Sequence, residues 1–274
     1  MNRRKFLATL TVGTGGVLSP PILAGLPSKD AEWPRDGRGS RGRIGVLTPD
    51  FDGVPESEMW TLAPRGISVH ASRVRRVEGH DLSEPPHVDD AAEQLVALPV
   101  NAIVFAFTTS SYLLGPDGEK ALQTRLEGRT GGIPLVLPVT AAVTALRALK
   151  ARRVALIHPP WFSDRVHEAG RSYFANLGFE IVYAGQMRPP RKFTEVTPSE
   201  LYAWAREHVP SNADALFIGG NGMRAIGAIS EIERSLSMPV ITANQVAFWQ
   251  ALGKANASTN IKGYGQLLEK SPAV

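Results

Sequence analysis

Short apolar runs alternate with longer stretches of helical periodicity from residue 43 onward. Continuous apolar or β-branched runs between turn residues predict buried strands, and apolar residues at every third or fourth position predict helices. Strands that alternate with helices predict parallel, helix-covered sheets, so the fold class is α/β. Eight such runs are "RIGVLTP" (43–49), "GISVHASRV" (66–74), "AIVFAF" (102–107), "PLVLPV" (134–139), "RVALIHP" (153–159), "EIVYAG" (180–185), "ALFIGG" (215–220) and "PVITA" (239–243).

The second half of the chain repeats the pattern of the first. "RIGVLTP" at 43 corresponds to "RVALIHP" at 153, "NAIVFAFTTSS" at 101 to "DALFIGGNGMR" at 214, and "GIPLVLPVTAAVTAL" at 132 to "SMPVITANQVAFWQAL" at 237. The period is too long for a short solenoid repeat. It predicts two Rossmann-like domains, each with a four-stranded parallel sheet, related by a pseudo-twofold axis. We assign 43–137 with 244–274 to the first domain and 138–243 to the second.

The first 27 residues have a different character. Arg3, Arg4 and Lys5 precede a weakly apolar run, and no acidic residue occurs before Asp30. This pattern predicts a twin-arginine signal peptide, and therefore export of the folded protein to the periplasm. A membrane anchor or an unstructured tail is the alternative, but the run is short, mild and broken by glycine and proline. Residues 28–42 are polar and glycine-rich, which predicts a linker.

Composition narrows the possible functions. Removal of the predicted signal peptide takes away three positive charges and lowers the formal net charge from +4 to about +1, so the main support for a nucleic-acid partner disappears. The chain contains no cysteine. Disulfides, thiolate metal sites and cysteine nucleophiles or proton carriers are therefore excluded.

Two polar loops follow equivalent strands in the two halves, "FTTSSY" at 107–112 and "GGNGM" at 219–223. Ligands of open α/β sheets bind beyond the carboxyl ends of the strands, where helix N-termini present free N–H groups. Thr108, Thr109 and Ser110 offer hydroxyl and backbone donors to a carboxylate, with an ordinary helix cap as the alternative. In the second loop, glycines allow close approach to the backbone, and Asn221 and Gly222 add donors.

Other candidate sites are weaker. The glycine loop lacks the spacing and the acidic ribose ligand of a dinucleotide fingerprint, so we do not expect a nucleotide. The six histidines show no metal-binding spacing, and His158 alone lies at the end of a predicted strand. The segment 48–60 carries Asp50, Asp52, Glu56 and Glu58, and is either a gate over the cleft or a solvated acidic loop.

The order of these segments, with "LPVTAAVTALRALKARRVALIHP", "SEIERSLSMPVITANQVAFW" and the terminal "KGYGQLLE", resembles arylmalonate decarboxylase and, more distantly, maleate isomerase, within the aspartate/glutamate racemase superfamily. The resemblance covers nearly the whole chain after residue 42. It implies a cleft between two Rossmann-like domains that binds a small carboxylate or malonate-type dicarboxylate with neither a metal nor an organic cofactor.

The resemblance also assigns roles by position. In the racemases and maleate isomerase each half supplies a cysteine, and arylmalonate decarboxylase keeps the second one as proton donor to an enediolate. These positions fall on Phe107 and Gly220, so cysteine-dependent racemase and isomerase chemistry is excluded. The carboxylate-binding hydroxyls fall on Thr108 and Thr109. A tyrosine of the dioxyanion hole is expected near "HPPW" (158–161), where the chain has no tyrosine.

Two hypotheses follow. The first is an exported, cofactor-independent enzyme that decarboxylates a malonate-type acid through an enediolate held in a dioxyanion hole, with His158 or a bound water as proton donor. The second is an exported carboxylate-binding protein of the same fold that catalyses no reaction. The sequence leaves the identity of the acid and the oligomeric state open.

Overall fold

The eight predicted strands are all present, and helices connect them. The computed structural model describes residues 39–188, 195–257 and 259–270. The first half contains β1 (Gly42–Pro49), α1 (Val54–Leu62), β2 (Ile67–Val74), α2 (His87–Val96), β3 (Ala102–Phe105), α3 (Thr108–Arg129), β4 (Leu135–Val136) and α4 (Pro138–Ala148). The second half contains β5 (Arg153–His158), α5 (Asp164–Asn176), β6 (Glu180–Gln186), α6 (Pro198–His208), β7 (Ala215–Ile218), α7 (Ile229–Leu236), β8 (Val240–Thr242) and α8 (Ala243–Lys254).

The strands form two four-stranded sheets of identical topology. The order is β2-β1-β3-β4 in the first sheet and β6-β5-β7-β8 in the second, and every neighbouring pair is parallel. The prediction of two parallel, helix-covered sheets is confirmed. The predicted signal peptide and residues 28–38 of the predicted linker lie outside the described residues, and Gly42 already belongs to β1.

Burial explains why the inner strands are continuous apolar runs. All four residues of β3 and all four of β7 are buried. A strand covered by helices on both faces has no solvent-facing side, so its sequence does not alternate between polar and apolar residues. The edge strand β6 is only half buried, and it carries more polar positions.

Helix α8 joins the core of one half to that of the other. It packs against α1 and β3 of the first half and against α4, and one cluster of buried residues extends from Val46 in β1 to Phe217 in β7. A capping box fixes its start: the Thr242 side chain accepts from the N–H of Gln245, and the Gln245 side chain accepts from the N–H of Thr242. The described residues belong to one compact unit, and the predicted domain boundaries stay a prediction.

Candidate active site

A cavity of about 510 Å³ lies where the carboxyl ends of the strands of both sheets converge. This is the edge at which open α/β sheets bind ligands, and the volume suits a small organic molecule. Five segments at the carboxyl ends of strands line it. From the first half come Pro49, Phe51 and Asp52 at the end of β1 and just after it, Arg76, His80, Asp81 and Leu82 after β2, and Ala106, Phe107, Thr108, Thr109 and Ser110 after β3. From the second half come Trp161 and Phe162 after β5, and Gly220, Asn221 and Gly222 after β7. The structure thus brings all six predicted carboxylate-binding and glycine-loop positions into one cavity.

The first donor loop begins α3 directly after β3. Thr108 is buried, and both its N–H and its hydroxyl donate to Oδ1 of Asn221, over 2.8 and 2.6 Å. The Asn221 side chain therefore occupies the donors of Thr108 and joins the two loops. Thr109 and Ser110 form the rest of this first helical turn, where N–H groups have no acceptor within the helix. These two residues are the donors that this loop offers to an anion.

The second donor loop is a tight turn after β7. Two hydrogen bonds fix its ends: the N–H of Gly219 donates to the carbonyl oxygen of Ile157, and the N–H of Met223 donates to the carbonyl oxygen of Gly220. In the part of the chain that the structure describes, the N–H groups of Gly220, Asn221 and Gly222 have no acceptor. Consecutive free N–H groups beside a cavity form an anion-binding concavity.

The resemblance assigns the second family cysteine to Gly220, whose backbone conformation disfavours any side chain. Its φ is +88°, and a Cβ atom would lie 2.8 Å from Cγ of Pro159. Residues that carry a Cβ atom are strained at this φ, and a rigid proline ring cannot rotate out of the contact. The local backbone and Pro159 therefore both disfavour a side chain at this position.

His158 does not line the cavity. It is fully buried at the end of β5, with Nε2 3.1 Å from the Tyr112 hydroxyl and Nδ1 2.9 Å from Nδ1 of His167. Burial, together with the neighbouring His167, lowers its pKa to about 3. The ring is therefore neutral near pH 7 and enclosed in protein, so the structure does not support the expectation that His158 protonates a substrate. No tyrosine lines the cavity near Trp161.

Two acids, Asp52 and Asp81, line the cavity, and of these Asp52 is the buried one. Its Oδ1 accepts from the N–H of Val54, and its second carboxyl oxygen has no donor among the described residues. Burial raises the pKa of Asp52 from 3.8 to about 6, although the hydrogen bond from Val54 and the charge of Arg73 oppose the shift. Asp52 and Glu58 are buried, so segment 48–60 is not a solvated acidic loop.

The loop after β2 is a part of the site that the sequence analysis missed. It contributes Arg76, whose guanidinium carbon lies 5.6 Å from the ring centroid of Phe51 at the cavity wall. It also contributes His80, Asp81 and Leu82. The sequence does carry a signal for this loop. Three arginines in "RVRR" (73–76) and the pair "HD" (80–81) lie at and after the end of a predicted strand, where ligand-binding loops are found.

Aromatic side chains form part of the cavity wall, which we call the aromatic wall. Phe107, to which the resemblance assigns the first family cysteine, is buried with its ring centroid 4.4 Å from that of Phe105. Trp161 and Phe162 follow β5 and line the same cavity. Together with Phe51, these rings make a cavity in which an apolar substituent packs beside donors for an anion.

The described residues limit other kinds of site. They contain no group of three or more histidine, aspartate or glutamate side chains that could hold a metal ion. None of the helices in the described ranges is long and apolar enough to cross a membrane.

Two parallel sheets of the same strand order, whose equivalent loops share one cavity, define a two-sheet, Rossmann-like α/β protein. The sequence model of the arylmalonate decarboxylase family matches residues 65–268, and the chain belongs to that family.

Individual relatives agree with this assignment. Arylmalonate decarboxylase of Bordetella bronchiseptica is 28% identical over 200 residues, which cover 71% of this chain and 81% of that protein. Maleate isomerase of Geobacillus stearothermophilus is 23% identical over 244 residues, or 82% and 96% of the two chains. A crystal structure of arylmalonate decarboxylase matches with a TM-score of 0.71 at 24% identity, over 84% of this chain and 100% of the other. A maleate isomerase of Pseudomonas putida, solved with maleate, matches with a TM-score of 0.75 at 22% identity, over 83% and 97%.

Proposed function

We propose that the protein is a cofactor-independent enzyme that decarboxylates malonate-type acids. The observation that carries the proposal is that the donor loops at 108–110 and 220–222, from equivalent places in the two halves, line one cavity of about 510 Å³. The relatives named arylmalonate decarboxylase and maleate isomerase support an enzyme that acts on a small carboxylate.

The retained carboxylate binds between the donor loops. When the bond from the α-carbon to the other carboxylate breaks, CO₂ leaves and the electron pair passes to the retained group as an enediolate. Thr109, Ser110 and the N–H groups of Gly220–Gly222 stabilise this charge because they are fixed before the reaction and line a partly enclosed site. The aromatic wall holds the apolar substituent of the acid.

Asp52 takes the place of the missing thiol as proton donor. A carboxyl with a pKa of about 6 is protonated in a usable fraction of molecules near neutral pH, and it lines the cavity in which the enediolate forms. Its proton passes to the α-carbon, and the resulting carboxylate regains a proton from water. His158, which is neutral and enclosed, has no part in this step.

Arg76 attracts the anion to the cavity. Its guanidinium stands at the exposed wall beside Phe51 and has no carboxylate partner in an ion pair among the described residues. A positive side chain at the mouth of a cleft raises the local concentration of anionic ligands.

A carboxylate-binding protein that catalyses no reaction is the second candidate. Gly220 favours it, because both the reactive side chain and the space for it are absent at the position of the family's proton donor. The donors for the anion are present in either case, so binding alone does not separate the two candidates.

Incubation of the protein with aryl- and alkylmalonates, followed by measurement of CO₂ release, tests the proposal. We expect the wild type to release CO₂ and the Asp52→Asn variant to release none. Absence of turnover with every acid tested, together with stabilisation of the protein against heat by the same acids, would identify the binding protein instead.

We further propose that the protein is exported by the twin-arginine route. The support is the segment "NRRKFLATLTVGTGGVLSPPILAG" at residues 2–25. Cell fractionation of the wild type and of the double variant Arg3→Lys, Arg4→Lys provides the test. We expect the wild type in the periplasm and the variant in the cytoplasm, and equal distribution of the two proteins would contradict the proposal.

A further inference from the structure

Glu58 is a buried carboxyl that the proposed reaction does not use. It lies on α1 with only 6% of its surface exposed, between the loop that follows β7 and the first turn of α8. Burial raises its pKa to about 7, and Asp52 is the charged group that adds to this shift. A buried carboxyl is costly unless hydrogen bonds compensate for the lost water, so its partners indicate why it is there.

Three hydrogen bonds connect Glu58 to the second half of the chain. Its Oε1 accepts from the backbone N–H groups of Ala225 and Ile226, over 2.7 and 3.1 Å. Its Oε2 accepts from Nδ2 of Asn244, over 2.7 Å. A side chain of α1 therefore holds both the segment that continues the second donor loop and the beginning of α8.

Asn244 extends this connection to the donor loops. Its Nδ2 also donates to the carbonyl oxygen of Asn221, and its Oδ1 accepts from Nδ2 of Asn221, each over 2.8 Å. Asn221 in turn accepts from Thr108 through Oδ1. A continuous buried chain of hydrogen bonds thus leads from Glu58 through Asn244 and Asn221 to Thr108.

The ionised carboxylate of Glu58 at one end and the N–H of Thr108 at the other fix the direction of the bonds in this chain. An ionised carboxylate only accepts hydrogen bonds, so Asn244 must turn its NH₂ group toward Glu58 and its oxygen toward Asn221. Asn221 must then turn its own NH₂ group toward Asn244 and its oxygen toward Thr108. The N–H of Thr108, which only donates, requires the same orientation of Asn221, so the loop that offers free N–H groups to the cavity is held from both ends of the network, by Thr108 directly and by Glu58 through Asn244.

We propose that Glu58 is a positioning residue that orients the anion-binding loop Gly219–Gly222 through Asn244 and so sets the affinity of the cavity for a carboxylate. The proposal rests on the proposed function only in that the ligand is a carboxylate. It requires no turnover.

Glu58→Gln in the full chain tests the proposal. The variant keeps the volume but turns an NH₂ group toward the NH₂ group of Asn244. At pH 8, where Glu58 of the wild type is ionised, we expect calorimetry to show phenylmalonate binding to the variant about tenfold more weakly. We also expect faster backbone hydrogen exchange over residues 219–226 without ligand. Glu119→Gln is the matched control, since Glu119 is equally buried but accepts from Thr140 and Tyr173 and does not line the cavity.

Asn244→Ser provides a second test if Glu58→Gln does not fold, because it cuts the connection to Asn221 and leaves the bonds from Glu58 to the backbone. Weaker binding or faster exchange in either folded variant, with an unchanged control, supports the proposal. Unchanged affinity and unchanged exchange in a folded variant overturn it. Absence of CO₂ release from the wild type would refute decarboxylation. The hydrogen-exchange measurement would still decide the role of Glu58.

Discussion

Replacement of Gly220 by cysteine introduces the side chain that the family resemblance assigns to this position, and we expect the protein to lose stability. The φ of +88° places any L-residue in a region that costs about 1–2 kcal/mol. The new Cβ would also lie 2.8 and 3.1 Å from Cγ and Cδ of Pro159, closer than carbon atoms pack. Relief of such an overpacked contact by movement of the backbone costs about 1–3 kcal/mol.

The two terms add because one acts on the backbone and the other on the contact of the side chain. The expected loss of unfolding free energy is about 2–5 kcal/mol, which is a large part of the 5–15 kcal/mol typical of a folded protein. For a chain of this size it corresponds to a fall in melting temperature of roughly 5–15 °C. Thermal unfolding followed by circular dichroism measures it directly.

Gly227→Cys is the matched control for this experiment. Gly227 lies in the turn before α7, and a Cβ there would have its nearest neighbour, Cγ of Pro198, at 3.6 Å, an ordinary contact. We expect Gly220→Ala to melt nearly as low as Gly220→Cys, because the backbone and Cβ terms are common to both. A Gly220→Cys protein that melts within about 2 °C of Gly227→Cys would refute the argument that backbone and neighbour exclude the thiol.

Three further substitutions test the cavity and its support. Asp52→Asn abolishes CO₂ release, and wild-type activity falls as pH rises through about 6, since the protonated carboxyl is the donor. Urea unfolding gives this variant a free energy of unfolding about 3 kcal/mol higher than that of the wild type at pH 8, and no such gain at pH 4. The reason is that the raised pKa of Asp52 costs stability only when Asp52 is ionised. His158→Ala lowers the melting temperature by leaving the Tyr112 hydroxyl without its partner, while the pH profile of activity is unchanged. Arg76→Gln weakens phenylmalonate binding severalfold in low salt, and calorimetry shows the difference shrinking as salt is added.

The fold could be predicted because its signals are local and repeated. Each inner strand is a continuous apolar run, and the internal repeat predicted that "RIGVLTP" and "RVALIHP" would take equivalent places. They do so as the second strand in the order of each sheet. The exact ends of the strands were less predictable, since β4 is only two residues long within a six-residue apolar run. Tertiary packing, and not propensity, decides where such a run leaves the sheet.

The donor loops could be found for a related reason. Topology alone brings the carboxyl ends of parallel strands to one edge, so residues 108–110 and 220–222 were expected in one place from their position after equivalent strands. His158 also follows a strand end, but its side chain turns away from the cavity into the protein. Whether a side chain at the end of a strand faces the cavity or the core depends on packing that a single sequence does not reveal.

The proton donor shows this limit most clearly. Asp52 and Asp50 are two residues apart in one loop and look alike in the sequence, yet Asp50 is exposed and Asp52 is buried beside the cavity. Burial is the main cause of the raised pKa of Asp52, and burial is a property of the assembled fold. The absence of cysteine was visible at once, whereas the group that could replace it appears only when the loops after β1, β3 and β7 are seen around the same space. An enzyme that lacks its family's reactive side chain should therefore be searched for a buried acid on a neighbouring loop before it is classed as inactive.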